Sequence, residues 1–229
     1  MATYNGAKYI KQQLCSIISQ IGEGDEVIIS DDGSTDSTLD TIRSMADGRV
    51  RIVKGPCRQS PTQNFENALS HAKGDYIFLA DQDDVWLPGK VSTCMKWLNR
   101  YDCVVSDAEM ADESLRVIEK SYYSVHHTKP GRWYNLVVKN GYMGCCMAFT
   151  RRVLDAALPF PNGIAMHDLW IGNVAAFRFS ARFIGEALVT YRCHGGNVSF
   201  TATGKSGFSL RKKLSIRLST AINLIARRQ

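Results

Sequence analysis

Asp81-Gln82-Asp83-Asp84 sets three carboxylates at the end of an apolar run, Tyr76-Ile77-Phe78-Leu79. Carboxylates this close repel one another and are costly to keep ionised without a cation. A hard divalent ion takes one or two such groups and completes its shell with water and phosphate oxygens. The cluster therefore suits a metal that bridges the protein to a diphosphate. A solvated turn capping the next helix would need only one acid, and Asp84 suits that role. A second run, Asp31-Asp32-Gly33-Ser34-Thr35-Asp36, also ends an apolar stretch. Gly33 and Ser34 fit a tight turn, and Ser34 or Asp36 can cap a helix. The two leading acids remain to accept hydrogen bonds from a ribose hydroxyl or a pyrimidine N–H. Asp168, in Met166-His167-Asp168-Leu169-Trp170, is either a first-turn acid that complements a helix dipole or a general base for an acceptor hydroxyl. His194 follows the last apolar run, as a polar surface residue or as the completion of the metal site.

Alternating elements must position these groups. Apolar residues at 10, 14, 17, 18 and 21 make a helical stripe within 6–21. Strands are expected at 26–30, 50–54, 75–80 and 103–106, with helices at 38–45, 62–72 and 88–99. This strand–helix rhythm predicts an α/β fold, with a mostly parallel central sheet flanked by helices. Both acidic runs then lie beyond the carboxyl ends of strands, on one edge, where such sheets bind ligands. Farther on, strands are expected at 141–150 and 187–193 and helices at 151–157 and 167–179. Met1–Gly6 reads as the end of a first strand whose beginning is missing, through truncation or a start placed too far downstream.

The 229 residues suit one sizeable domain with a short appendage. Seven cysteines without CxxC spacing read as reduced, mostly buried thiols. No run approaches the ~20 apolar residues of a membrane span, and no leader peptide is visible; the expectation is a cytoplasmic protein. The net charge of +6 is uneven: residues 187–229 hold eight Lys or Arg and no acid, against 20 basic and 22 acidic residues before them. The main domain therefore lacks the basic face that nucleic acid requires. A Gly/Ser/Thr-rich linker at 195–207 leads into 209–228, with Leu210, Leu214, Leu218, Ala221, Ile222 and Ile225 on one stripe and Arg211 and Lys212 off it. Such a basic amphipathic helix suits a membrane surface, a second chain as in a homodimer, or the domain itself.

Five segments in order, Ala2–Gly6, Asp31–Asp36, Ala80–Lys90, Met166–Trp170 and His194–Val198, resemble glycosyltransferase family 2, the inverting enzymes of GT-A fold. The Asp-Gln-Asp-Asp-Val-Trp-Leu-Pro form is most similar to bacterial rhamnosyltransferase-like enzymes of surface polysaccharide synthesis. The resemblance spans about residues 1–200, divided into a nucleotide-sugar half (1–107) and an acceptor half (108–200), with 201–229 as linker and helix. It implies a nucleotide pocket from Thr3, Tyr4, Asn5, Asp31, Asp32, Asp81 and Lys90. It implies Asp83 as direct ligand of Mg²⁺ or Mn²⁺, with His194 reaching the same metal or diphosphate, and Asp168 as the catalytic base. The partners implied are a UDP- or dTDP-sugar and a glycan or lipid-linked acceptor, met by Trp133, Met143, Gly144, His167 and Trp170. Two departures stand out. The first strand is clipped, and the His167-Asp168 pair replaces the Glu-Asp commonest across the family. A metal-dependent phosphohydrolase or nucleotidyltransferase would use the same acids but release phosphate or transfer a phosphoryl group. An inactive nucleotide-sugar-binding module would bind donor without turnover.

Overall fold

The computed structural model describes residues 1–195 and 209–227. Gly196, Asn197 and Val198 of the His194–Val198 segment, most of the expected linker, and Arg228 lie outside the described residues.

The first part alternates as the sequence dictates. β1 (Ala2–Thr3), α1 (Ile10–Ile18), β2 (Val27–Asp31), α2 (Thr38–Ser44), β3 (Val50–Lys54) and α3 (Pro61–His71) follow in order. The three strands form a parallel sheet, β1-β2-β3. α1 buries Ile10, Leu14 and Ile17, the stripe expected of a helix with one face on a core. α3 opens with Pro61 in its first turn, and the Ser60 side chain accepts from Gln63 N, the arrangement that satisfies an otherwise orphaned N–H.

The remaining strands are β4 (Tyr76–Phe78), β5 (Val85–Trp86), β6 (Cys103–Ala111), β7 (Val117–Glu119), β8 (Met147–Thr150) and β9 (Ala181–Arg192). They form a sheet in the order β4-β8-β6-β9-β5, with β7 on β6. Its pairings are antiparallel except β6–β9. The α/β fold is present, but its sheet is mixed rather than mostly parallel. Apolar runs that are buried on both faces carry no mark of strand direction. β6 and β9 are also longer than their apolar cores suggested, and β6 runs through the divide placed at 107/108.

The helices here are α4 (Lys90–Leu98), α5 (Tyr122–His126), α6 (Arg151–Ala157), α7 (His167–Arg178) and α8 (Leu210–Ala226), with a π-helical turn at Tyr134–Val138. The strand expected over 141–150 begins only at Met147, after a 3-10 turn at Gly144–Cys146. A side chain on Gly144 would place its Cβ 3.0 Å from His167 Nε2, so close packing on α7 governs this turn. Cys94, Cys103, Cys145 and Cys146 are buried, while Cys15 and Cys57 are exposed.

Candidate active site

The loops after β1, β2 and β4 meet, held by side chains that bond to backbone. Asp31 Oδ2 accepts from the N–H groups of Gly33 and Ser34, and Oδ1 from the hydroxyls of Thr3 and Ser34. Asp32 accepts from Arg58 N at 3.1 Å and Ser60 N at 3.0 Å. Both carboxylates are buried and shape the walls of the pocket expected here. Asn5 joins the same lacing: its N–H donates to Ser34 Oγ, and its side-chain oxygen accepts from Thr35 N. Tyr4 lies on the surface, its hydroxyl accepting from Gln59.

The acidic loop is clamped from three sides. Gln82 faces the Tyr4 peptide with both ends of its amide: Oε1 accepts from Tyr4 N at 3.0 Å, and Nε2 donates to Tyr4 O at 3.1 Å. A Cβ at Gly6 would lie 2.3 Å from Gln82 Oε1, so only glycine allows this approach. Gln13, buried on α1, donates to Asp81 O. Arg192, buried at the end of β9, donates from its backbone to Asp84 Oδ1, from Nε to Asp83 O, and from its other nitrogens to Glu113 O and Gln12 Oε1. The sequence reading missed all three. Gln13 and Arg192 had a signal, a polar residue set within an apolar helix stripe and within an apolar strand. Gln82 was hidden as the spacer between two acids.

Asp84 is not a helix cap. It has no exposed surface, it anchors β9 through Arg192 N, and the residue before α4 is Gly89. Lys90, expected in the donor pocket, is packed into the interior instead. It is fully buried, donates to Cys145 O and lies 4.6 Å from the Trp86 ring centroid, beneath the acids whose charge it offsets.

Asp83 Oδ2 is 2.9 Å from His194 Nε2, and the His194 ring stacks on Tyr9. Two residues 111 apart in sequence are thus brought together as a paired oxygen and nitrogen donor set. The buried Asp84 Oδ2 has no hydrogen-bond partner among the described residues. Asp81, Asp84 and Cys145 also offer ligand atoms within 4.8 Å of one another. However, a hydrogen bond with Cys146 and burial raise the Cys145 thiol well above its usual range, which disfavours it as a ligand for a hard ion. Asp83 with His194 fits a divalent cation better, with Asp81 beside it. Burial, then the charges of Asp83 and Asp168, raise Asp81 to about 7.

Asp168 opens α7 and faces this group. The backbone N–H groups of Leu169, at 2.6 Å, and Gly144 donate to it, yet burial raises its carboxyl to about 6. A carboxylate poised there can take a proton near neutral pH. Of the residues expected to meet an acceptor, Trp170 and His167 belong to the core instead. Trp170 is completely buried, with its indole N–H donating to Ala157 O. His167 is buried and stacks on Phe65 at 3.8 Å. Periodicity could not tell which face of α7 packs inward. Met143 and Gly144 are buried, Gly144 beside Asp168, and Trp133, just before the π-helical turn, is exposed and packs edge-on against Phe177 near the far end of α7.

The model of glycosyl transferase family 2 matches residues 1–158. That span holds both acidic loops and stops before Asp168 and His194, so those two rest on geometry. An Escherichia coli protein, UDP-Glc:alpha-D-GlcNAc-diphosphoundecaprenol beta-1,3-glucosyltransferase WfaP, is 30% identical over 203 residues, covering 87% of this chain and 78% of its own. The E. coli enzyme WfgD, with the same activity in its name, is 23% identical over the same shares of each chain. Among solved structures, S. aureus TarS 1-349 in complex with UDP-GlcNAc superposes with a TM-score of 0.68 at 16% identity, covering 96% of this chain and 70% of that one. The Pyrobaculum calidifontis mannosyltransferase PcManGT, in complex with GDP-Man and Mn²⁺, gives 0.66 at 21% identity, covering 97% and 62%. At these identities the structures speak for the fold, which is GT-A.

Proposed function

The chain belongs to glycosyl transferase family 2, and from that premise we propose its reaction and the residues that perform it. It is a glycosyltransferase. We assign it the transfer of a sugar from a UDP- or dTDP-sugar to a hydroxyl of a glycan or lipid-linked acceptor in bacterial surface polysaccharide synthesis, with inversion. The observation that carries this reading is Asp168, a partly buried carboxyl set against the acidic loop that would hold the diphosphate.

Asp168 takes the proton of the acceptor hydroxyl, whose oxygen attacks the anomeric carbon from the face opposite the nucleotide. The bond to the diphosphate breaks in the same displacement, which inverts the configuration. Gly144 and Leu169 hold the Asp168 carboxylate in place through their N–H groups. Thr3, Tyr4, Asn5 and the loop shaped by Asp31 and Asp32 form the nucleotide wall, and Asp81 borders the sugar. Mg²⁺ or Mn²⁺ on Asp83 and His194 would supply positive charge against the diphosphate leaving group. Trp133, Met143 and Gly144 border the acceptor side.

The base must be ionised to act, so its pKa sets a limb of the pH profile. At donor concentrations well below KM, where the free enzyme is read, kcat/KM should fall about tenfold for each pH unit below about 6 and lose this dependence on Asp168 above it. A profile flat down to pH 5 would remove Asp168 from this role.

The direct test is turnover of UDP-glucose with a GlcNAc-diphospho-lipid acceptor, the pair in the name of the E. coli relative, followed by a panel of dTDP-sugars. A β-linked product formed only with divalent metal is expected from an α-linked donor. Release of phosphate without a glycoside would favour a phosphohydrolase. Donor binding without turnover across the panel would favour a binding module. No described helix is long and apolar enough to cross a membrane. We place the protein peripherally on the inner face of the cell membrane, in contact through 208–228.

A further inference from the structure

The stripe that the sequence marks on α8 is not the face by which α8 docks. The helix rests on α7 and the π-helical turn through Thr220 and Leu224. Arg217 donates to Val138 O in that turn, and Arg227 to Ala156 O and Leu158 O. The predicted stripe is left outside: Leu214, Leu218 and Ile222 are each more than half exposed. The neighbouring turn exposes Val137 and Val138 to the same degree, and Trp133 just before it is 63% exposed. A helix normally buries its apolar stripe. Here two elements 70 residues apart in sequence leave theirs in the open side by side.

Resting on the peripheral location proposed above, we propose that α8 and the segment Trp133–Val138 form one composite face that docks on an anionic lipid surface. Charge selects this occupant. Arg211, Lys212 and Lys213 follow one another in the first turn of α8, and residues 187–229 contain no acid. A two-fold pair of such faces would set like charges against each other, whereas anionic headgroups complement them. The face is also built from the elements that hold the base. α8 packs on α7, whose first turn carries Asp168, and Trp133 packs edge-on against Phe177 of α7 at 4.9 Å. Nine residues of helix, about 14 Å, separate Phe177 from Asp168. The turn at Tyr134–Val138 leads within six residues to Gly144, whose N–H holds that carboxylate. A headgroup-linked acceptor sugar would enter from this side.

Trp133 reports the contact directly, because Trp86 and Trp170 are buried and Trp97 is half-buried. The full chain is mixed with phosphatidylglycerol vesicles carrying brominated acyl chains, and with phosphatidylcholine controls. Flotation with the anionic vesicles and quenched emission are expected. Trp133→Phe should still float but lose most of the quenching. Replacing Arg211, Lys212 and Lys213 together with Gln should weaken partitioning on the order of a hundredfold, roughly fivefold per charge. Failure to float, equal binding to both lipids, or quenching unchanged in Trp133→Phe would overturn the proposal. So would a stable dimer by light scattering that excludes vesicles. Nucleotide-sugar binding, followed by thermal shift without vesicles, is independent of all these readouts, so failure of the transferase assignment would show separately.

Discussion

Replacing Asp168 with Asn should abolish sugar transfer while leaving nucleotide binding close to that of the parent. Asn keeps the shape, and its side-chain oxygen can still accept from Leu169 and Gly144, but it cannot take a proton. General-base catalysis contributes roughly 10²–10⁴-fold, and a loss of that size in kcat is the expected result. Stability supplies a control. Burial raises the Asp168 carboxyl from 3.8 to about 6, so the folded state binds its proton more tightly than the unfolded state does. Its stabilising contribution is full below the unfolded value and is lost as pH rises through about 6. A neutral Asn avoids that loss, so the variant should melt no lower than the parent at pH 7. Steady-state turnover, nucleotide thermal shift and melting temperature together separate the readings. Turnover within a few-fold of the parent would sink the assignment, while a lowered melting temperature with weakened nucleotide binding would mean that Asp168 chiefly supports the fold.

Asp168 and Trp170, two residues apart, show where legibility ends. A carboxyl at the start of a periodic segment has few chemical roles, so its type narrows the choice. An indole suits a sugar platform and a core equally well, and burial decides; here Ala157 O takes its N–H and no surface remains. The early elements were readable because α1 and β2 carry periodic or continuous apolar runs with turn residues between them. Strand direction in the later sheet was not, because β8 and β9 look alike whichever way they run. The acidic loop was visible as a cluster, but its division of labour was not. Asp84, three residues past Asp81, is tied to β9 by Arg192 N, a contact spanning 108 residues that no local pattern announces. The stripe on α8 was seen correctly as a pattern and is exposed rather than docked, because Thr220 and Leu224 on the adjoining face meet α7.

Asp83→Ala tests the other half of the site, and its effect should rival that of the base. Arg192 holds this residue by its backbone oxygen, and Gln82 clamps the loop to Tyr4 independently. The loop should therefore keep its course when the carboxylate is removed. What disappears is the oxygen paired with His194 at 2.9 Å. Without it the proposed site would lose its main partner for a cation opposite a diphosphate, and charge stabilisation at such a position is worth on the order of 10²–10³-fold in rate. Thermal shift should show the parent stabilised by UDP plus Mn²⁺ beyond UDP alone, and Asp83→Ala stabilised equally by both. His194→Ala should have the same sense and a smaller size, roughly 10–100-fold in metal affinity, because Asp83 and Asp81 remain. If Asp83→Ala kept the metal-dependent shift while Asp81→Asn lost it, the cation would sit on the inner acids beside Cys145. The pairing of Asp83 with His194 would then be a contact that ties the acidic loop to the end of β9 rather than a metal site.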